Sequence, residues 1–465
     1  MTNEKGPVIL VAGASGYIGR ALIPRLLEKF PQAQIVALSR SSQDSGDSRV
    51  QWRACDLFSL KSLEEALPQS VDLAFYLVHS MGPTASLDQG SFADYDLILA
   101  DNFARALKRL NPQQVIYLGG LIPEEEGNLS LHLRSRQEVE ETFADHQLPL
   151  TIFRAGLILG EAGSSFQILL KLVQRLPMMV CPQWTQTLTT PVDLPSVLEA
   201  LTQSSLESQH IRQTYDLAGC RPLTYLQMMK ETARQLGRKT LFITIPFFSP
   251  TLSRLWVSLV TNTPKALVYP LVESLEHSMV ARQNYLFNPA WAHRSYGELL
   301  TKASLQTQPR KKIFRFRPRR RTVRSVQRLP LPQGRDGEWV KNRYLLWLPR
   351  YFAPLIKVKV DEELGHVVFA VGFGTWLWSL LELQLSPERS DPDRQLLYIK
   401  GGALVAAENK GRLEFRVVLR RQYVLAAIHD FTPALPWFIY KVTQAQLHAL
   451  VMRAFAHHLR AQLKS

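Results

Sequence analysis

The seven residues Gly13-Ala14-Ser15-Gly16-Tyr17-Ile18-Gly19 constrain this chain more than any other stretch. They follow the apolar run Val8–Ala12 and open Ile18–Phe30, where apolar residues recur at helical spacing. A first glycine permits a tight turn. A second lets an anion approach the backbone, and a third lets the helix pack close against the strand. The helix N-terminus then faces the anion. A glycine turn in this strand–turn–helix setting implies a dinucleotide pyrophosphate site, with Gly13, Ser15, Gly16, Tyr17, Ile18 and Gly19 as its expected residues.

The alternation continues downstream. Ile35–Leu38, Asp72–Val78, Val115–Leu118 and Leu150–Phe153 read as strands, and Asp96–Leu110 and Arg136–Ala144 as helices. Leu97, Ala100, Phe103, Ala104 and Leu107 make an i, i+3, i+4 stripe on the first of these helices. Such a β-α-β rhythm predicts an α/β fold, a Rossmann-type doubly wound parallel sheet with helices on both faces. From Gly163 to about Leu305 the pattern loosens into a substrate-side subdomain. Its expected helices are Phe166–Leu176, Leu194–Leu201, Tyr225–Leu236, Leu252–Val260 and Lys265–Leu275.

A chain of 465 residues, 46% hydrophobic, is too long for one comfortable core. The net charge of +15 is uneven. Arg310, Lys311, Lys312, Arg315, Arg317, Arg319, Arg320, Arg321, Arg324 and Arg328 contribute ten of it, with no acid among them. This divides the chain into a nucleotide-binding domain at 1–305, a basic linker at 306–338 and a C-terminal α+β domain at 339–465. Two readings of residues 310–328 stand: a solvated tether, or a contact with a membrane surface or nucleic acid. In the last domain Leu396–Leu404, Leu413–Leu419 and Tyr423–His429 read as antiparallel strands, closed by a long helix from about Pro436.

Leu364–Leu381 holds 18 residues without Asp, Glu, Lys or Arg, which just reaches spanning length. His366 and three glycines inside it favour buried strands. Cys55, Cys181 and Cys220 form no CxxC pair, and His448, His457 and His458 have no metal-ligand spacing. The polar start lacks the features of a signal peptide. The expected setting is cytoplasmic, with the inner face of a membrane as a second reading.

The end of the second strand sets cofactor preference. An acid there would hold a ribose 2′-hydroxyl; Ser39-Arg40-Ser41-Ser42 instead places Arg40 to pair with a 2′-phosphate, so NADP is favoured over NAD. Asp56 and Leu57, after the third strand, are expected at the adenine. Leu77, Arg136, Ala155 and Gly156 complete the expected cofactor-binding set.

GASGYIG at Gly13–Gly19, CDLFS at Cys55–Ser59, LVHSMG at Leu77–Gly82, HLRSR at His132–Arg136, FRAGLILG at Phe153–Gly160 and TTPVDLPSVL at Thr189–Leu198 occur in order. Together they resemble the atypical, extended short-chain dehydrogenases over about Pro7–Leu305, with NmrA-type proteins and the accessory dehydrogenase-like subunit of respiratory complex I as the nearest kinds. The whole layout resembles bacterial two-domain NAD(P)-binding proteins whose C-terminal domain has no assigned activity.

The resemblance implies chemistry that the residues do not supply. Active members use a Tyr-x-x-x-Lys pair, in which lysine lowers the tyrosine pKa and tyrosine moves a proton during hydride transfer. The matching pair here is His132-x-x-x-Arg136, and Gly119 or Gly120 replaces the family's serine. His132 and Arg136 are the catalytic candidates, with Ser130 as a further hydroxyl. Arginine beside His132 is expected to favour neutral imidazole. The functional reading is an NAD(P)(H)-binding redox sensor, or an assembly or regulatory factor within a larger protein complex. The alternative is an NADP-dependent oxidoreductase acting on a carbonyl or quinone-like substrate.

Overall fold

The computed structural model describes residues 6–41, 43–44, 46–79, 87–123, 129–245, 250–303, 322–361, 363–372, 377–406 and 410–463. The chain divides into two compact units, residues 1–82 with 96–312, and residues 83–95 with 313–465. Its early elements are β1 (Val8–Ala12), α1 (Tyr17–Lys29), β2 (Gln34–Ser39), β3 (Val50–Ala54), α2 (Leu60–Ala66), β4 (Leu73–Tyr76), β5 (Leu87–Gln89), α3 (Phe92–Lys108), β6 (Gln114–Gly120), α4 (Leu131–Asp145) and β7 (Leu150–Ala155).

In the first unit seven strands run parallel in the order Thr214–Leu217, β7, β6, β4, β1, β2, β3. This is the doubly wound sheet that the alternation predicts. Each face is covered. Ile9, Val11, Ile35, Phe75 and Phe153 pack with Leu22 and Leu26 of α1 on one side. Leu10, Ala12, Tyr76 and Tyr117 pack with Phe103 and Phe143 on the other. A strand buried on both faces needs an unbroken apolar run, which Val8–Ala12 and Leu73–Tyr76 provide.

Beyond β7, helices Ser164–Arg175, Tyr225–Gln235, Pro250–Thr261 and Lys265–Ser274 build a separate apolar cluster around Phe166, Leu170, Met228 and Val268. Leu241–Thr244 forms a strand, and residues 246–249 lie outside those described.

The second unit holds an eight-stranded sheet. Its first seven strands in spatial order are Ile356–Asp361, His366–Val371, Trp378–Leu385, Arg394–Gly401, Arg412–Val418, Tyr423–Phe431 and Val323–Pro330, each antiparallel to its neighbours. β5 adds an eighth strand, parallel to Val323–Pro330. One sheet face packs on helices Gly337–Tyr351 and Gln444–Gln462 through Val340, Tyr344, Leu345, Val451, Phe455 and Leu459.

Two details differ from the expectations. Residues 323–330, read by composition as linker, form a strand, and Arg324 and Arg328 are held by Asp430 at 3.1 Å and Asp94 at 2.8 Å. The charge run hid this because both acids are remote in sequence; residues 310–321 lie outside those described. The terminal helix is broken at Thr443, whose φ of −117° and ψ of −85° leave the helical region. The charge-free run contributes the strand His366–Val371 and the start of the strand Trp378–Leu385, as expected, and among the described residues no helix is long and apolar enough to cross a membrane.

Candidate functional site

The glycine turn is built as its spacing requires. Gly13 has φ +85°, and a Cβ there would lie 2.7 Å from the Leu77 carbonyl oxygen, so neither the conformation nor the space admits a side chain. A Cβ on Gly19 would lie 2.5 Å from the Gly13 oxygen, which fixes how closely α1 meets the loop. Gly16 differs: its φ is −72°, and its Cβ position meets only the Gly13 oxygen, at 3.1 Å. The backbone at Gly16 thus borders open space. The first turn of α1 carries no acid and no capping side chain, leaving its N–H groups and dipole directed at that space.

Ser15 is exposed, and its carbonyl accepts from Arg20 Nε at 3.0 Å. Tyr17 turns to the Gly160–Gly163 bend, where its hydroxyl pKa is raised by burial and lowered by a hydrogen bond with the Ala162 backbone. Arg40 is exposed just past β2. The Asp56 carboxylate accepts from the Phe58 N–H at 3.1 Å, and the Leu57 carbonyl accepts from Asn102 at 2.8 Å.

A cavity of about 510 Å³ opens at the C-terminal ends of β4, β6 and β7. Ile18, Leu77, Gly119, Gly120, Ala155 and Gly156 line its sheet side. Its far wall is apolar and comes from the later helices, with Ile168, Leu172, Met229, Val268, Leu271 and Leu275. Ligands of open α/β sheets bind at these strand ends. The structure therefore gathers Ile18, Leu77, Ala155, Gly156, His132 and Arg136 on one cavity, with Gly119 and Gly120 beside them. Residues of the later helices were missed by sequence reasoning, since an apolar helical stripe signals core and cavity wall alike.

Residues 9–161 match the model of the NAD dependent epimerase/dehydratase family. That stretch covers the Rossmann-type strands and helices from β1 to β7. The auxiliary protein GraX of Staphylococcus aureus (strain NCTC 8325 / PS 47) is 33% identical over 116 residues, 24% of this chain and 36% of GraX, so the match spans about a third of that relative. A Citrobacter sp. triphenylmethane reductase complexed with NADP(H) superposes with a TM-score of 0.50 at 17% identity, over 64% of this chain and all of the reductase. An NADPH-dependent quinone oxidoreductase of Escherichia coli gives a TM-score of 0.49 at 18% identity, over 63% of this chain and 99% of its own.

His132 and Arg136 stand where the resemblance implies a tyrosine and a lysine. Arg136 is a buried ion pair: its Nη2 lies 3.3 Å from Asp96 Oδ2, and burial lowers its pKa to about 10. His132 is neutral at physiological pH, its pKa lowered to about 4. Burial is the cause, where the sequence had suggested the arginine. Ser130 caps α4, accepting from the Leu133 N–H at 3.3 Å, and its hydroxyl meets Ser274 at 3.1 Å. Sequence reasoning passed over Asp96 and His79, which meet at 3.2 Å beside this pair. The one signal for His79 was its place inside the Leu77–Gly82 motif.

Proposed function

We propose that the first unit binds NADP(H), with NADP preferred over NAD, and reduces an apolar carbonyl or quinone-like acceptor. The observation that carries this is the junction of two features at one set of strand ends. The Gly13–Gly19 turn presents open backbone at Gly16 and an uncapped α1 N-terminus, which suit a pyrophosphate. The apolar cavity begins at Ile18, Leu77, Ala155 and Gly156, beside the same turn. Exposed Arg40, past the end of β2, suits a 2′-phosphate. Bound there, the cofactor would supply hydride; the protein's part is to orient it and to keep water from an apolar acceptor. The family match and the fold shared with an NADP(H)-complexed reductase support this reading.

A second reading, a redox sensor or regulatory factor, is favoured by one observation. His132 and Arg136 do not reproduce the tyrosine–lysine pair, the first being neutral and the second tied to Asp96. Following NADPH absorbance with a panel of quinones and aromatic carbonyls separates the two. Oxidation that depends on the acceptor supports the reductase. Tight NADPH binding without oxidation by any acceptor supports the sensor.

A further inference from the structure

The cavity wall contains a paired acid and base that the family's own scheme does not use. His79 follows β4 and lines the cavity. Its Nδ1 lies 3.2 Å from Oδ2 of Asp96 on α3, and the two side chains are 27% and 3% exposed. The same carboxylate oxygen accepts from Ser135 Oγ at 2.9 Å and from Arg136 Nη2 at 3.3 Å. Three donors converging from two elements fix the carboxylate in place. A carboxylate opposite Nδ1 makes that nitrogen the protonated one and leaves Nε2 to exchange a proton. This is the orienting role that a buried aspartate plays toward a catalytic histidine on unrelated folds.

Asp96 on α3 and His132 on α4 meet the His79 ring, while Ser135 and Arg136 on α4 reach the Asp96 carboxylate and Tyr76 of β4 senses both Asp96 and Arg136. The His132 ring lies 5.2 Å away between centroids. Asp96 attracts an imidazolium at His79, and Arg136 on the same carboxylate tempers that attraction. His132 has the opposite character: burial keeps it neutral, which makes it a poor donor at physiological pH.

We propose that His79, oriented by Asp96, exchanges a proton with a carbonyl or phenolic oxygen of a ligand in this cavity. The proposal rests on the reductase reading for its chemistry. NADPH, when bound, supplies the hydride that reduces the carbonyl carbon and is itself oxidised to NADP+. The proton on His79 Nε2 passes to the carbonyl oxygen as the C=O π bond breaks and new C–H and O–H bonds form. His79 is left neutral and regains its proton from solvent. Asp96 acts only through His79, as a positioning residue.

The test begins on the protein without cofactor. The titration of each histidine Cε1–H is followed by NMR in the wild type, in Asp96→Asn and in His79→Gln, which assigns the signal, with and without 2-naphthol as a phenolic probe. The expected result is a His79 midpoint that falls by about one unit in Asp96→Asn and that shifts on adding 2-naphthol. Should Asp96→Asn fail to fold, the 2-naphthol arm on the wild type decides alone. A His79 midpoint indifferent to 2-naphthol overturns the proposal. In single-turnover NADPH oxidation, His79→Gln should slow the reaction about a hundredfold, the scale of one positioned acid, and remove the ionisation from its pH profile while leaving NADPH affinity unchanged. Turnover as fast as wild type would also overturn it and leave the reductase reading intact. A wild type that reduces no acceptor would end that reading, with the NMR arm still deciding whether His79 exchanges a proton with the ligand.

Discussion

Arg136 and Asp96 form an ion pair almost wholly out of solvent, with Nη2 3.3 Å from Oδ2 and side chains only 6% and 3% exposed. A guanidinium so placed depends on its carboxylate, because a buried charge without a counter-charge is far more costly than the pair. Asp96→Ala removes the acceptor shared by Arg136, Ser135 and His79. It should lower the stability of the first unit by about 3–5 kcal/mol, read as a shift of its urea midpoint. A loss below about 1 kcal/mol would mean that the pair is solvated.

Cofactor preference should lie with Arg40. In calorimetric titrations the wild type is expected to bind NADPH more tightly than NADH. Arg40→Asp should lower NADPH affinity about tenfold or more, the scale of one charge-assisted hydrogen bond, with little effect on NADH. Equal affinity of the wild type for both cofactors contradicts this assignment.

His132 should matter to acid stability and not to cofactor binding. Its folded-state pKa of about 4 lies below the ordinary histidine value of 6.5, as does that of buried His429, also lowered by burial to about 4. Between those values the unfolded chain binds protons that the folded chain does not. Stability is therefore full above pH 6.5 and is lost as pH falls toward 4, by up to about 1.4 kcal/mol per pH unit for each such histidine. Melting temperatures of the wild type should drop across this window, and His132→Ala should flatten the drop while NADPH affinity is unchanged. A variant with the wild-type slope would show that His132 is already solvated in the folded state.

The parts of the fold legible in the sequence are those written in local pattern. Val8–Ala12 with Gly13–Gly19 announces strand, turn and helix within a dozen residues, and the apolar stripe of α3 repeats at helical spacing. What escaped is what remote residues decide. Arg324 and Arg328 look like two more charges of a linker until Asp430 and Asp94 are brought to them. β5, three residues long, is too short to show a period and belongs to the sheet of the second unit. In the site, His132 and Arg136 were found because a family pattern places them. The partner that ties down Arg136 lies 40 residues away on another helix, and no spacing rule connects the two.

The central claim is that the Gly13–Gly19 turn holds the pyrophosphate of NADP(H), and Gly16 tests it most directly. A Cβ there meets only the Gly13 oxygen, at 3.1 Å, and a valine is expected to fill the open space that the phosphates need. Gly19, whose Cβ would lie 2.5 Å from that same oxygen, cannot be altered without moving α1 and serves as the structural control. NADPH titration, by fluorescence or calorimetry, with circular dichroism on the same samples, is the measurement. The account predicts saturable binding to the wild type, lost in Gly16→Val at unchanged secondary structure and melting temperature, whereas Gly19→Val melts early. A folded Gly16→Val protein that binds NADPH as the wild type does would contradict it.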